Sequence, residues 1–365
     1  MPDAIWIDRD DQLPALAAEL ESQPWVGVDT EFLRERTFFP KLCLLQLSAG
    51  QQLWCVDTLD LDLAPLVPAL TAAGTRKIIH AARQDLEAFY LGTTRVISPV
   101  FDTQIAAGCV GLKPQIGYAE LVQVFLGVNL SKGQTRTDWA KRPLSAAQLE
   151  YAADDVRHLG DIARHLDTRL GELGRAHWVA EDCLALENPK FYEPEPAQAW
   201  ERLRGLQQLA PRPRACAKAI AVWREELARE RDLPRSWILP DAAIFDLAYT
   251  HPETAAGLRA VRSIPPNFNE GFATSLLAVL GRAAASEPVD LSPSQELRPT
   301  PAQKALIERL AQIVDARAVE LGVSAEILAP RGELKAIVMG NRETQALRDG
   351  WRRAEIGERL IAALN

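Results

Sequence analysis

The sequence predicts a mixed α/β-sheet domain followed by two all-α helical bundles. Three observations lead to that expectation. Through about residue 190, a hairpin-like pair of apolar runs is followed by alternating strand-like and helix-like segments, as in a mixed sheet with helices packed on it. A proline-rich break over 188–214 then ends the alternation. Beyond it every segment has helical periodicity, and the two halves repeat weakly with a period of about 90 residues.

In order, Ile5 to Ile7 reads as a short strand, and Asp10 or Asp11 caps a helix through Leu13, Leu16 and Leu20. Trp25 to Phe32 is apolar and β-favouring, and reads as a buried strand. After Pro40, Leu42 to Leu47 and Leu53 to Val56 flank a turn at Gly50, so these two strands form a hairpin. A helix over Leu63 to Leu70 leads to a short strand, Lys77 to His80, and a helix from Asp85 to Leu91. Helices over Thr103 to Val110 and Tyr118 to Leu126 precede a polar loop, Ser131 to Arg142. A single long helix is expected from Ser145 to Leu170, with Leu149, Ala153, Val156, Leu159, Ala163, Leu166 and Leu170 as its core stripe.

Residues 1–190 are therefore expected to form the sheet domain, and 191–213 a linker containing a short helix. Residues 214–291 and 300–365, separated by the proline-rich Ser292 to Pro301, are expected as two related helical domains, each with its own core. In the first, Ala219, Ile220, Trp223 and Leu227 form a stripe, followed by Ile238, Leu239, Ile244 and Leu247. In the second, Leu306, Leu310 and Ile313 form the stripe, followed by Ile327, Leu328, Leu334 and Ile337.

Composition sets the class. Of 365 residues, 47% are hydrophobic and 25% charged, as in soluble globular proteins. No apolar run reaches the length of a bilayer span, and Met1-Pro2-Asp3-Ala4 has no signal-peptide character. The five cysteines are scattered and never in C-x-x-C spacing, which argues against a disulfide framework or a zinc site and fits a reducing cytoplasm. The net charge of −8, taken alone, counts against nucleic-acid binding, although a whole-chain sum leaves room for a basic groove. A monomer is expected.

The candidate chemistry begins in the Trp25–Phe32 strand. A period of two puts Asp29 and Glu31 on one face. Two ionised carboxylates ~4 Å apart repel by roughly 4 kcal/mol at an effective dielectric of about 20. A cation must therefore sit between them, either an Arg or Lys from elsewhere in the chain or a divalent metal. A solvent-facing strand end is the plainer alternative for an isolated D-x-E. Asp85 lies just beyond a strand at a helix start, where an N-cap is the competing reading, and Asp102 reads better as a cap before Thr103-Gln104-Ile105. In the long helix Tyr151 and Asp155 are four apart and share a face, while Asp154 points further round.

Taken together and in this order, Asp29-Thr30-Glu31-Phe32, His80 to Asp85-Leu86, and Tyr151 to Asp155 resemble the three motifs of the DEDD superfamily of 3′→5′ exonucleases, in the subgroup whose third motif carries tyrosine. The specific similarity is to the bacterial ribonuclease D family. Pro40 to Leu47 and Leu130 to Trp139 also look like that family, and Trp223-Arg224-Glu225-Glu226, Leu233-Pro234-Arg235 and Ile238-Leu239 are similar to an HRDC domain. The second helical unit departs from the pattern, with Leu321-Gly322-Val323-Ser324 in place of Leu-Pro-Arg.

The resemblance implies a ribonuclease H-like, DnaQ-like exonuclease fold followed by two HRDC domains. It implies removal of single nucleotides from RNA 3′ ends, releasing 5′-mononucleotides, with tRNA precursors and small structured RNAs as substrates. Two divalent ions, Mg²⁺ or Mn²⁺, suit an all-carboxylate set and can stabilise both attacking and leaving oxygens. Asp29 would bridge both ions, Glu31 and Asp155 would hold the one that activates water, and Asp85 would hold the second largely through water. Tyr151 would orient the attacking water, since an ordinary phenol is a poor base at neutral pH. Phe32 against the terminal base, His80 near the site, and Lys132, Arg136 and Trp139 along the single strand are candidate substrate contacts, each with a structural alternative. Two other readings compete: a DNA 3′→5′ exonuclease using the same carboxylates, and a non-catalytic RNA-binding scaffold on a nuclease fold. The presence of all four acids and the tyrosine speaks against the scaffold.

Overall fold

The computed structural model describes residues 4–130, 137–265, 268–285 and 299–364. Six strands form one sheet: β1 (Ile5–Ile7), β2 (Trp25–Leu33), β3 (Lys41–Ala49), β4 (Gln52–Asp57), β5 (Arg76–Ile79) and β6 (Val100–Asp102). Their order is β1-β4-β3-β2-β5-β6. The strands β2, β3 and β4 run antiparallel, whereas β5 joins β2, β6 joins β5 and β1 joins β4 in parallel. The expected hairpin and the expected mixed sheet are both present.

One face of the sheet packs against α1 (Leu13–Glu21), α2 (Val67–Thr71) and α3 (Arg83–Thr93). The other is covered by α4 (Thr103–Cys109), α5 (Tyr118–Leu126), α6 (Ala146–Arg157), α7 (Leu159–Leu173) and α8 (Ala176–Leu186). The alternation along β2 decides what faces what. Val26 and Val28 enter the core under α1 and α3, while Trp25 and Gly27 meet α7. At Gly27 a Cβ would collide with Ser48 Oγ and lie 3.2 Å from Leu159 Cδ1, so the bare backbone is what lets α7 start so close to the sheet.

The long helix expected from Ser145 to Leu170 is two helices, broken at His158 (φ −105°, ψ 2°). Tertiary donors and acceptors explain the break. The Ser48 hydroxyl donates to the Val156 carbonyl at 2.8 Å, and the His158 N–H donates to Tyr118 Oη at 3.1 Å. The chain can therefore turn without leaving those backbone groups unpaired. Gly160 then passes against the Trp25 ring, where a Cβ would clash. Helical periodicity survives across the break, which is why the sequence gives no sign of it. Among the described residues no helix is long and apolar enough to cross a membrane.

The chain divides into two compact units. One contains Met1–Leu33, Pro40–Tyr192 and Lys304–Asn365; the other contains Arg34–Phe39 and Glu193–Gln303. The latter is built on α9 (Pro211–Glu230), α10 (Arg235–Ile238), α11 (Asp241–Thr250), α12 (Ala255–Arg259) and α13 (Ala273–Ala285). Ile220, Trp223, Ile238, Ile244 and Leu247 are buried at its centre. The stretch expected as a linker contributes to that centre: Leu203, Leu206 and Leu209, in and beside short 3₁₀ turns, are buried with them.

The second helical stretch has α14 (Pro301–Leu321), α15 (Ala325–Leu328), α16 (Arg331–Val338) and α17 (Glu358–Leu364). Its long, short and medium helices repeat the order of α9, α10 and α11, with Pro240 and Pro330 each at the N-cap of the third helix. The buried stripe of α14 is Ile307, Leu310, Val314 and Ala318, so the expected Leu306 and Ile313 lie at its margins. The expectation that this stretch closes a core of its own is corrected. Its apolar side chains are continuous with those of α4, α7 and α8. Trp351 stacks on Trp178 with ring centroids 4.1 Å apart, and Arg352 grips Asp182 with bonds of 2.5 and 2.9 Å. Arg175 donates to the carbonyls of both Cys109 and Leu321.

Candidate active site

Asp29 and Glu31 leave β2 on the face covered by α6, and Asp155 comes down from α6 to meet them. One carboxylate oxygen from each lies within 4.8 Å of the others. A β-bulge between Glu31 and Phe32 ends the regular register immediately after the pair. Tyr151, one turn before Asp155, brings its hydroxyl toward the Asp155 carboxylate. The i, i+4 spacing in the sequence therefore puts the two groups side by side on one helix face.

Asp85 reaches the site from α3. It is not the N-cap residue: Ala82 occupies that position, and Asp85 is buried one turn in. Its Oδ1 accepts from the Thr30 hydroxyl at 2.6 Å and from the Thr30 N–H at 3.2 Å. Asp102 is a cap, accepting from Gln104 N and Ile105 N at the start of α4. It also accepts from Ala81 N and Ala82 N, which holds the left-handed Ala81 (φ +58°) in the turn that launches α3. Asp102 thus sets where Asp85 points.

The electrostatics are those of an uncompensated cluster. Burial, then the charges of Asp85, Asp155 and Glu31, raise the Asp29 carboxyl well above its ordinary range. Burial followed by Asp155 and Asp85 pushes Glu31 up to about 8. Burial raises Asp155 to about 7 against the opposing hydrogen bond from Tyr151, and raises Asp85 to about 7 against that from Thr30. Among the described residues no Arg or Lys acts on these groups in the way the sequence left open, and a divalent cation is the fitting partner. Four carboxylates and no softer donor suit a hard ion. The Tyr151 phenol is pushed above its ordinary value by burial and then by Asp155, Glu31 and Asp29, so it stays a proton donor at neutral pH.

The remaining expectations divide. Trp139 does not present a face for stacking: it is 2% exposed, packed among Cys43, Leu44, Cys55 and Ala152, with its ring 6.1 Å from that of Tyr151. It backs the tyrosine, and Arg142 fixes its loop by bonding to the Trp139 and Cys43 carbonyls and to both oxygens of Asp57. His80 has both ring nitrogens engaged, Nε2 donating to the Ile116 carbonyl at 3.0 Å and Nδ1 paired with Thr103 Oγ1 at 2.9 Å. It is a structural histidine. Phe32 is half-buried against the core beneath α3. Lys132 and Arg136 lie outside the described residues. Asp154 is taken by Arg157, 2.7 Å away, and stands apart from the three-carboxylate group.

Sequence reasoning missed two contributors, Thr30 and Tyr118. Thr30 is an alternating strand residue facing away from Asp29, and only the fold reveals that it tethers Asp85. Tyr118 looks like an ordinary first-turn aromatic until its hydroxyl is found holding the α6–α7 break.

Comparison with known proteins agrees with this geometry. Residues 4–171 match the 3'-5' exonuclease family, and residues 214–280 match the HRDC domain. The chain is 35% identical to a ribonuclease D of Granulibacter bethesdensis over 100% of its own length and 93% of that protein's. It is 34% identical to a ribonuclease D of Pseudomonas paraeruginosa, covering 100% of this chain and 98% of the other. The crystal structure of Escherichia coli RNase D, an exoribonuclease involved in structured RNA processing, superimposes with a TM-score of 0.91 at 28% identity, covering 100% of this chain and 99% of that one. At such identity over such a span, the chain belongs to the ribonuclease D family.

Proposed function

We propose that this protein, a 3′→5′ exoribonuclease by family, removes nucleotides singly from RNA 3′ ends and releases 5′-mononucleotides. The observation that carries the reading is the convergence of Asp29, Glu31 and Asp155 within 4.8 Å, with no side-chain cation among the described residues to compensate them. Asp29, Glu31, Asp155 and Asp85 would hold two divalent cations, Mg²⁺ or Mn²⁺, with Asp29 shared between them, Glu31 and Asp155 serving the one that activates water and Asp85 serving the second largely through water. The bound ions supply the positive charge that an in-line phosphodiester displacement needs at its attacking and leaving oxygens. Tyr151, kept protonated by its surroundings and supported by Trp139, orients the attacking water by its hydroxyl while Asp155 accepts from it. The exposed part of Phe32 meets the terminal base, and Lys132 and Arg136 meet the backbone of the strand.

The substrates are the 3′ ends of tRNA precursors and other small structured RNAs; the Escherichia coli protein is described as involved in structured RNA processing. Residues 1–190 form the exonuclease domain, 191–213 the connection, 214–291 the first HRDC domain and 300–365 a second. The repeated helix order and the matched N-cap prolines favour that second assignment. The protein acts as a monomer in a reducing cytoplasm, a setting that suits five buried, unbridged cysteines.

The test is a denaturing-gel time course on 5′-labelled single-stranded RNA, with a matched DNA strand alongside. An EDTA-sensitive ladder that shortens one nucleotide at a time from the RNA 3′ end is expected. RNA that shifts in a native gel but is never shortened would overturn the reading in favour of a binding scaffold, and preference for DNA would redirect the substrate.

A further inference from the structure

On the strand beside Asp29 lies a polar side chain that the fold does not use. Gln46 sits in β3 directly opposite Asp29 in antiparallel register, and opposite Cys55 of β4 on its other side. Directly opposed residues point to the same face, with Cβ atoms about 4.5–5.5 Å apart. Ser48, two residues on and on that same face, donates to Val156 of α6, so α6 roofs the row. Gln46 is 0% exposed, and neither its Nε2 nor its Oε1 has a hydrogen-bond partner. Its neighbours along the strand are Leu44, Leu45 and Leu47, all fully buried. A methionine or leucine would fill the same space without stranding two polar atoms, and a buried amide without partners works against folding.

The polar groups around it are otherwise committed. Ser48 is bonded to Val156, and Tyr151 is turned to Asp155. The acceptor directly across the strand pair from Gln46 is the carboxylate of Asp29. We propose that Gln46 is a positioning residue for Asp29: its amide N–H turns to that carboxylate when divalent cations are held there, and fixes its orientation. An amide suits the task because it donates a hydrogen bond without bringing a charge that would compete with the ions. This rests on the reading of Asp29 as a metal-holding residue. It adds a cross-strand donor that acts through Asp29 and touches neither ion nor RNA.

The test uses the full chain with Gln46→Met and Gln46→Leu. In EDTA both variants should melt at or above the wild-type temperature, because an unpartnered amide has been removed. Mn²⁺ titration of the RNA-free protein, read by electron paramagnetic resonance, should show about tenfold weaker binding. With saturating metal, kcat should fall about tenfold while KM for RNA stays within twofold. Melting well below wild type in EDTA would show that the amide serves the fold, and would overturn the proposal. Unchanged Mn²⁺ affinity and kcat would overturn it too, while leaving the metal-holding role of Asp29 intact. A wild-type protein that binds no Mn²⁺ would remove both.

Discussion

Glu31 and Glu225 are both carboxylates drawn out of water, and their surroundings treat them in opposite ways. Glu31 faces Asp29 and Asp155, and is pushed up to about 8 by burial and then by acids. Glu225, on α9, is 2% exposed, yet burial is outweighed there by hydrogen bonds from Arg235 and by the charges of Arg235, Arg202 and Arg224. Its carboxyl is held below the usual glutamate range. Arg224 is itself closed off by the Leu239 carbonyl and Asp241, at 2.8 and 2.6 Å. One cluster is completed by the chain and serves structure. The other is left incomplete by the described residues, and a divalent cation fits the gap.

The sharpest way to break this contrast is Asp29→Asn. Hydrolysis should fall on the order of a thousandfold or more, because the proposed reading gives Asp29 the central place in holding the cations. In EDTA at pH 8 the same variant should melt no lower than wild type, since one of several repelling acids has been neutralised. Activity retained in a gel assay, or a collapsed melting temperature, would contradict the contrast. Glu225→Gln should do the reverse. A fully buried pair broken on one side costs about 3–5 kcal/mol, and the partial exposure of Arg235 brings that down to about 2 kcal/mol of stability, readable by denaturant titration. Cleavage of a short unstructured RNA should hardly change.

A pH series sharpens the same point. The acids of the nuclease site have raised values, so the folded state holds protons more tightly than the unfolded chain. Their contribution is fully present below about pH 4 and is lost as pH rises through 7 to 8, so the metal-free protein should melt lower at pH 8 than at pH 5. Saturating Mn²⁺ should flatten that decline. Glu225 works in the other direction: its stabilisation is present above 4.5 and is lost as pH falls below that. The smallest expected effect is that of Asp154→Asn. Its pair with Arg157 is partly exposed, so the loss should be under about 1 kcal/mol, with kcat within a fewfold of wild type. A hundredfold loss would enlarge the metal-holding set.

How much of this was legible in the sequence depends on the range of the forces involved. The facing of Asp29 and Glu31 follows from the two-residue period of a strand, and the Tyr151–Asp155 contact from the turn of a helix. Both are local, and both were readable. The break at His158 was not, because its cause is a serine on β3 and a tyrosine on α5. The burial of Trp139 escaped for a similar reason: a tryptophan in a polar loop gives no sign of the Arg142–Asp57 clasp that seats it. In the two helical stretches, the buried Arg224 of α9 and the buried Val314 of α14 hold matching places in the repeat. The apolar periodicity shows the repeat, but it does not show that α14 finds its cover on the nuclease helices.

That cover changes how the enzyme comes into being. The unit that holds the carboxylates is discontinuous: its apolar interior includes residues made after the whole of the other helical unit. A ribosome that has delivered β1 to α8 has placed every acid of the site, but the Trp178 face still waits for Trp351. Domains generally fold as units during synthesis, and this one is finished late. A prematurely terminated message therefore yields a chain with all four candidate acids and an unsealed core, its apolar Trp178 face left open to water.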